Sequence, residues 1–232
     1  MIRGIFFAAI VAGLVASLVL TAVQRFEVVP IILQAESYES GAHAHASGNG
    51  AAAHGHVDEE WAPHDGIERT FWTAVANAGA GIGFALLLCA AYAWRGGVTL
   101  REGVLWGSAG FLVFFVNPSF GLQPEIPGAA AADVGARQLW WLGAVACTGV
   151  GLWLLAFTLR WSTALAGALL CLVPHVIGAP LAGEAHGSAP VELAHAFLGA
   201  TYLANGVFWI VLGTASAYVF TRFTRLERTV AT

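Results

Sequence analysis

The chain has 232 residues, of which 58% are hydrophobic and only 10% charged, and its mean hydropathy is +0.72. A soluble domain carries about 25% charged residues, so the composition excludes a large water-soluble body and points to lipid as the solvent. The formal net charge is -4 and the ten basic residues are all Arg, scattered along the chain, so no basic stripe is offered to nucleic acid.

Taken in chain order, apolar runs recur that are long enough to cross a hydrocarbon core of roughly 30 Å at about 1.5 Å per residue. They extend from Ile2 to Val23, Phe71 to Trp94, Leu100 to Val116, Gln138 to Leu159, Ser162 to Leu181 and Glu192 to Tyr218. Each is apolar all round, and a backbone in lipid must satisfy its own hydrogen bonds, so helices are expected rather than strands. The expected fold class is all-α: a polytopic membrane protein with six transmembrane helices. Met1-Ile2-Arg3 resembles the basic start of a secretion signal. The apolar run behind it is too long for one, and no A-x-A site follows, so it is read as a span.

Arginine placement sets the orientation, because basic residues near span ends stay on the cytoplasmic side. With both termini inside, Arg3, Arg95, Arg101, Arg160, Arg222, Arg225 and Arg228 face the cytoplasm, and only Arg25, Arg69 and Arg137 lie outside. All acidic residues except Glu102 and Glu227 then lie outside too, which makes the outer surface acidic. The chain is expected to cross its membrane several times, with both termini on the cytoplasmic side.

The expected organisation is a first helix over 1–24, an external flexible His-rich loop over 25–70, and a five-helix bundle over 71–232 with an external Pro-rich loop at 117–137. The first loop contains a Gly/Ala/His stretch from Gly41 to His56 and cannot bury a core of its own. The second is shaped by Pro118, Pro124 and Pro127, which fix the backbone at close intervals. A third connection, Ala182 to Val191, carries Glu184 and His186. Breaks at the end of span three and within span five are not in matching positions, so no inverted repeat is expected.

Five of the eight histidines, His43, His45, His54, His56 and His64, fall in the first loop among Asp58, Glu59, Glu60 and Asp65. Imidazole and carboxylate suit borderline divalent ions such as Co, Ni and Zn. The bland alternative is a solvated low-complexity segment, and ordering such a loop around an ion costs conformational entropy. His175 lies within span five, about 10 Å below its outer end by helix rise. Ionisable groups at such depth are rare and line pathways or pair with a neighbour. Pro174 before it and Gly178-Ala-Pro180 after it loosen the helix there. Glu192 and His195 are three residues apart at the start of span six, on one helical face. With Glu184, His186 and His175 they supply enough donors for one divalent site at the outer mouth of spans five and six. The competing reading makes His175 a neutral imidazole bonded to another helix, and Glu192 a complement to its helix N-terminus.

Gly79, Gly81 and Gly83 in span two, with Gly103, Gly107 and Gly110 in span three, read as close helix packing rather than a nucleotide fingerprint, since no strand precedes them. No P-loop and no HExxH motif occurs, so no enzyme is expected. Cys89, Cys147 and Cys171 all fall in apolar runs and read as free packing residues. The tryptophans at span ends read as interfacial anchors.

From Glu68 onward the chain resembles the CbtA family of bacterial cobalt transporter subunits. The resemblance rests on Glu68-Arg-Thr-Phe-Trp-Thr73, Leu105-Trp-Gly-x-Ala-Gly-Phe111, Asn117-Pro-x-Phe-Gly-Leu-x-Pro-Glu-Ile-Pro-Gly128, Arg137-Gln-x-Trp-Trp141 and Pro174-His-x-Ile-Gly-Ala-Pro180. It implies Co2+ uptake, often linked to cobalamin synthesis, and a small one-span partner with its own histidines, a CbtB-like protein. It also makes Glu125, Arg137, Gln138 and His175 candidate functional positions. Two rivals are a scaffold subunit whose histidines buffer metal without transport, and a haem enzyme. The second would need paired histidines facing each other across helices.

Overall fold

The computed structural model describes residues 2–47, 63–181 and 189–230. Among them every regular element is helical, and consecutive helical stretches join into six rods. The first rod, α1 (residues 2–47), is α-helical over Ile2–Val23, widens into a π-helical turn at Gln24–Val28 and resumes over Val29–Ser47. The second is α2 (Ile67–Arg95). The third, α3 (residues 100–119), is α-helical over Leu100–Phe111, π-helical over Leu112–Val116 and α-helical again over Asn117–Ser119. Then come α4 (Val134–Phe157), α5 (Trp161–Ile177) and α6 (Val191–Val230).

Several boundaries differ from the sequence reading: the last helix runs past Tyr218 to Val230, α2 begins at Ile67, and α4 begins at Val134, inside the expected 117–137 loop. The first helix does not stop at Val23 but runs on to Ser47, so the inner part of the expected loop is helical. Ala, Glu and Gln there favour helix, and Val28 and Ala35 give the extension a buried stripe. Span five ends at Ile177 instead of Leu181. Gly178 takes φ +87°, where a Cβ would be strained, and Pro180 behind it cannot prolong the helix. His175 therefore sits in the last turn of α5.

Among the described residues four helices are long and apolar enough to cross a membrane: α1, α2, α4 and α6. α5 is a shorter apolar helix, and α3 is not among the four. Large apolar side chains on every rod face outward, among them Leu18, Leu87, Leu105, Leu142, Leu169 and Leu203. Lipid would cover such a surface; water would not.

The rods form two bodies. In the first, α1 lies against α2 and α6, and α3 lies against α6. Glycines bring these backbones together: a Cβ on Gly13 would lie 2.6 Å from Ile82 Cα, and one on Gly213 2.7 Å from Gly107 Cα. Gly103 and Gly107 pack as the sequence suggests, and Gly110 lies under the Trp209 ring. In span two only Gly81 is used in this way, whereas Gly79 and Gly83 meet open space. Above the glycines an aromatic cluster locks α2, α3 and α6: Phe84 lies 4.8 Å from Trp209 and 4.9 Å from Phe114, and Phe114 stacks on Trp209 at 5.4 Å. Trp209 is thus core rather than an interfacial anchor.

The second body is the α4–α5 hairpin, closed where Gly151 meets Gly167 and Cys171. It meets the first body at both ends. At one end Phe157 contacts Trp106 and lies under the Arg95 guanidinium at 5.6 Å. At the other, α4 packs on the π turn and short final helix of α3. Cys89, Cys147 and Cys171 are all free.

Candidate functional site

The second meeting place is the most polar point in the seam between the two bodies. Asn117 leaves the π turn of α3 and faces both helices of the hairpin. Its Nδ2 donates to Thr148 Oγ1 on α4 at 2.5 Å and approaches the Cys171 carbonyl on α5 at 3.4 Å. Its Oδ1 lies 3.1 Å from His175 Nε2. Thr148 is buried and donates its own proton to the Ala144 carbonyl at 2.6 Å.

Trp140 Nε1 donates to the Pro174 carbonyl at 3.2 Å, tying the loosened end of α5 to α4. The Trp140 and Phe120 rings meet the half-buried His175 imidazole edge-on, with centroids at 6.0 and 6.2 Å. Pro174 has no N–H, so the Leu170 carbonyl lacks its helical donor one turn below His175.

Beside this hub an open cavity of about 350 Å³ lies between the π turn, the Pro-rich loop and the first turns of α4. Ser119, Gln123, Arg137 and Gln138 give it a polar wall, and Phe115 and Trp141 an apolar one. Arg137 Nη2 pairs with Glu125 Oε2 at 3.0 Å, which fastens the loop to α4.

The other candidate residues are dispersed. Glu192 and His195 are exposed at the start of α6. His64 is exposed, and its carbonyl accepts the Arg69 N–H at 3.1 Å. The backbone of His43 and His45 is helical near the end of α1. His54, His56, Glu184 and His186 lie outside the described residues. Among the described residues no three His, Cys, Asp or Glu side chains come together as a metal-binding group. His175 finds its partners on α3 and α4.

A second polar cluster joins α1 to α2. Asn77 Nδ2 donates to Gln24 Oε1 at 2.7 Å and Thr21 Oγ1 at 3.0 Å, and Ser17 Oγ donates to the Asn77 carbonyl at 2.7 Å. Further along, Glu36 on the α1 extension takes both terminal nitrogens of Arg69 at 3.0 Å, and Asp65 takes its Nε at 3.0 Å. Both polar clusters adjoin a π turn, an irregularity that recurs at functional sites.

The family model described as a probable cobalt transporter subunit, CbtA, matches residues 2–221. The chain belongs to the CbtA family. The match takes in α1 as well as the region from Glu68 onward where the motifs lie. No curated protein and no solved structure gives a significant match. A CbtA chain is a membrane protein of cobalt transport, and its description as a subunit means that it works with a partner.

The residues missed by sequence reasoning are Asn117 and Thr148. Asn117 opens one of the CbtA motifs and His175 lies in another, so the motifs held a signal, but the bond between them spans 58 positions.

Proposed function

We propose that this CbtA chain carries Co2+ inward across the cytoplasmic membrane of a bacterium, with six spans and both termini in the cytoplasm. The external histidines His43, His45, His54, His56 and His64 gather the ion. Glu184, His186, Glu192 and His195, with Glu125 at the edge of the Pro-rich loop, accept it at the outer mouth, and it passes His175. A small one-span CbtB-like partner with its own histidines completes the transporter. Ni2+ and Zn2+ suit the same imidazole and carboxylate donors.

The observation that carries this reading is His175: an imidazole held between apolar rods by a neutral amide, beside Pro174, which leaves the Leu170 carbonyl without its helical donor. A polar group costs free energy in such a place unless it is bonded, and ionisable groups there commonly mark pathways. Arginine bias supports the orientation. Radiolabelled Co2+ uptake into vesicles holding the protein and its partner is the test. Uptake should fall strongly in the His175→Ala, His195→Ala double variant. Unchanged uptake removes this route, and a complex that co-purifies without any cobalt flux would make the chain a scaffold instead. Labelling of a Gly48→Cys variant from outside, but not from the cytosol, checks the orientation.

A further inference from the structure

The hydrogen bonds at the seam have directions that chemistry alone decides. Two acceptors lie on one side of the Asn117 amide: the Cys171 carbonyl, which has no proton to donate, and Thr148 Oγ1, whose O–H is engaged in donating to the Ala144 carbonyl. An amide oxygen turned toward them would meet oxygens with nothing to donate. The NH2 must therefore face Thr148 and Cys171, and Oδ1 must face His175. Because Oδ1 only accepts, the 3.1 Å contact requires His175 Nε2 to carry a proton.

A neutral imidazole protonated at Nε2 has its lone pair at Nδ1. Among the described residues no other hydrogen bond engages His175, and the groups that face it are uncharged: Asn117 on α3, Phe120 just beyond its end, and Trp140 on α4.

We infer that Asn117, itself oriented by Thr148, is a positioning residue that fixes the tautomer of His175 and offers Nδ1 to the ion. The inference rests on the reading of His175 as an ion-contacting residue and adds which nitrogen makes the contact and what holds it ready. Histidines that ligate metals commonly donate their second ring N–H to an acceptor, which orients the ring and raises its basicity. Asn117 supplies that acceptor without charge. A carboxylate in its place would bind a divalent ion more tightly and release it more slowly, whereas a carrier has to let go.

The test uses the full chain in lipid nanodiscs with 15N-labelled histidine. The His175 resonance should report the Nε2–H tautomer, and Zn2+, a diamagnetic probe, should shift its Nδ1 signal. In the Asn117→Leu variant the two tautomers should mix, and Co2+ uptake should fall about 10- to 100-fold, the range usual for loss of such a supporting partner. Thr148→Val should produce a smaller version of both effects. Asn117→Asp should restore the tautomer while slowing Co2+ release. An Nδ1–H tautomer in the wild-type chain, or an Asn117→Leu spectrum identical to it, overturns the inference whatever uptake does. If the tautomer results hold but Zn2+ leaves Nδ1 unmoved and His175→Ala transports normally, the failure lies in the ion-contacting role, and the inference falls with it.

Discussion

The two bodies of this protein are built on different principles. In the body formed by α1, α2, α3 and α6, glycines bring backbones together and aromatic rings fill the space above them, and the most apolar stretches of α1, α6 and α2 are 44%, 33% and 22% buried. The α4–α5 hairpin buries only 17% of the corresponding stretch of α4, and its upper end is fastened by hydrogen bonds from Asn117 and Trp140. Lipid tails are as apolar as leucine, so helices in a bilayer associate through close packing and polar contacts rather than the hydrophobic effect. The first body combines close packing at its glycine crossings with the hydrogen bonds of Ser17, Thr21, Gln24 and Asn77 between α1 and α2. The hairpin is closed on itself at Gly151 and Gly167, and it is joined to the first body at its Asn117 end by hydrogen bonds, which can exchange partners.

The largest effect should follow from a change at a glycine crossing. A Cβ on Gly107 would collide with the Trp209 carbonyl, and backbone cannot yield as a side chain can. Gly107→Val is expected to cost about 3 kcal/mol or more and to lower the thermal midpoint of the whole protein in detergent. Gly79→Ala, where nothing lies within 4 Å, should be neutral or stabilising by up to about 1 kcal/mol. In the hairpin, Gly151→Val should clash with the Gly167 carbonyl but loosen α4 and α5 alone. Hydrogen exchange read helix by helix would separate the two cases; equal loss of protection in α1 and α6 would erase the distinction between the bodies.

A smaller effect is expected at Trp140. Trp140→Phe keeps the ring against His175 and removes the donor to the Pro174 carbonyl, which still accepts from Gly178 N at 3.1 Å. About 1 kcal/mol should be lost, seen as faster amide exchange at the end of α5 with α1 and α2 unchanged. Protection lost across all six rods would mean that the hairpin is no separate unit.

Much of this arrangement is legible in the sequence where hydropathy and small residues carry the signal. The helical character, the packing at Gly81, Gly103, Gly107 and Gly110, and the free cysteines all follow from local composition. The extension of α1 to Ser47 is not legible from hydropathy, because polarity marks departure from lipid rather than the end of a helix. The stop at Ile177 was written in Gly178 and Pro180, but an apolar run that continues to Leu181 masks it. The π turns have no sequence signature, and they are what bring Gln24 and Asn117 toward their partners. The hub at Asn117 unites residues from three helices, and only tertiary structure shows which amide meets which imidazole.

A last comparison sets the Arg69–Glu36 ion pair of the first body against the Arg137–Glu125 pair at the hairpin. Arg69 binds Glu36 through both terminal nitrogens and Asp65 through Nε, so its guanidinium is held on two sides with three of its nitrogens engaged. Arg137 meets Glu125 through one nitrogen at 3.0 Å. Both pairs are partly exposed, where a lone ion pair contributes about 0 to 1 kcal/mol and geometry decides where in that range it falls. Double-mutant cycles with Arg69→Met, Glu36→Gln and Arg137→Met, Glu125→Gln should give a coupling near the top of the range for the first and near zero for the second, and added salt should shrink the first. The reverse order would mean that the Pro-rich loop is clamped more firmly than the extension of α1, and the hairpin could not then be the looser of the two bodies at its Arg137 end.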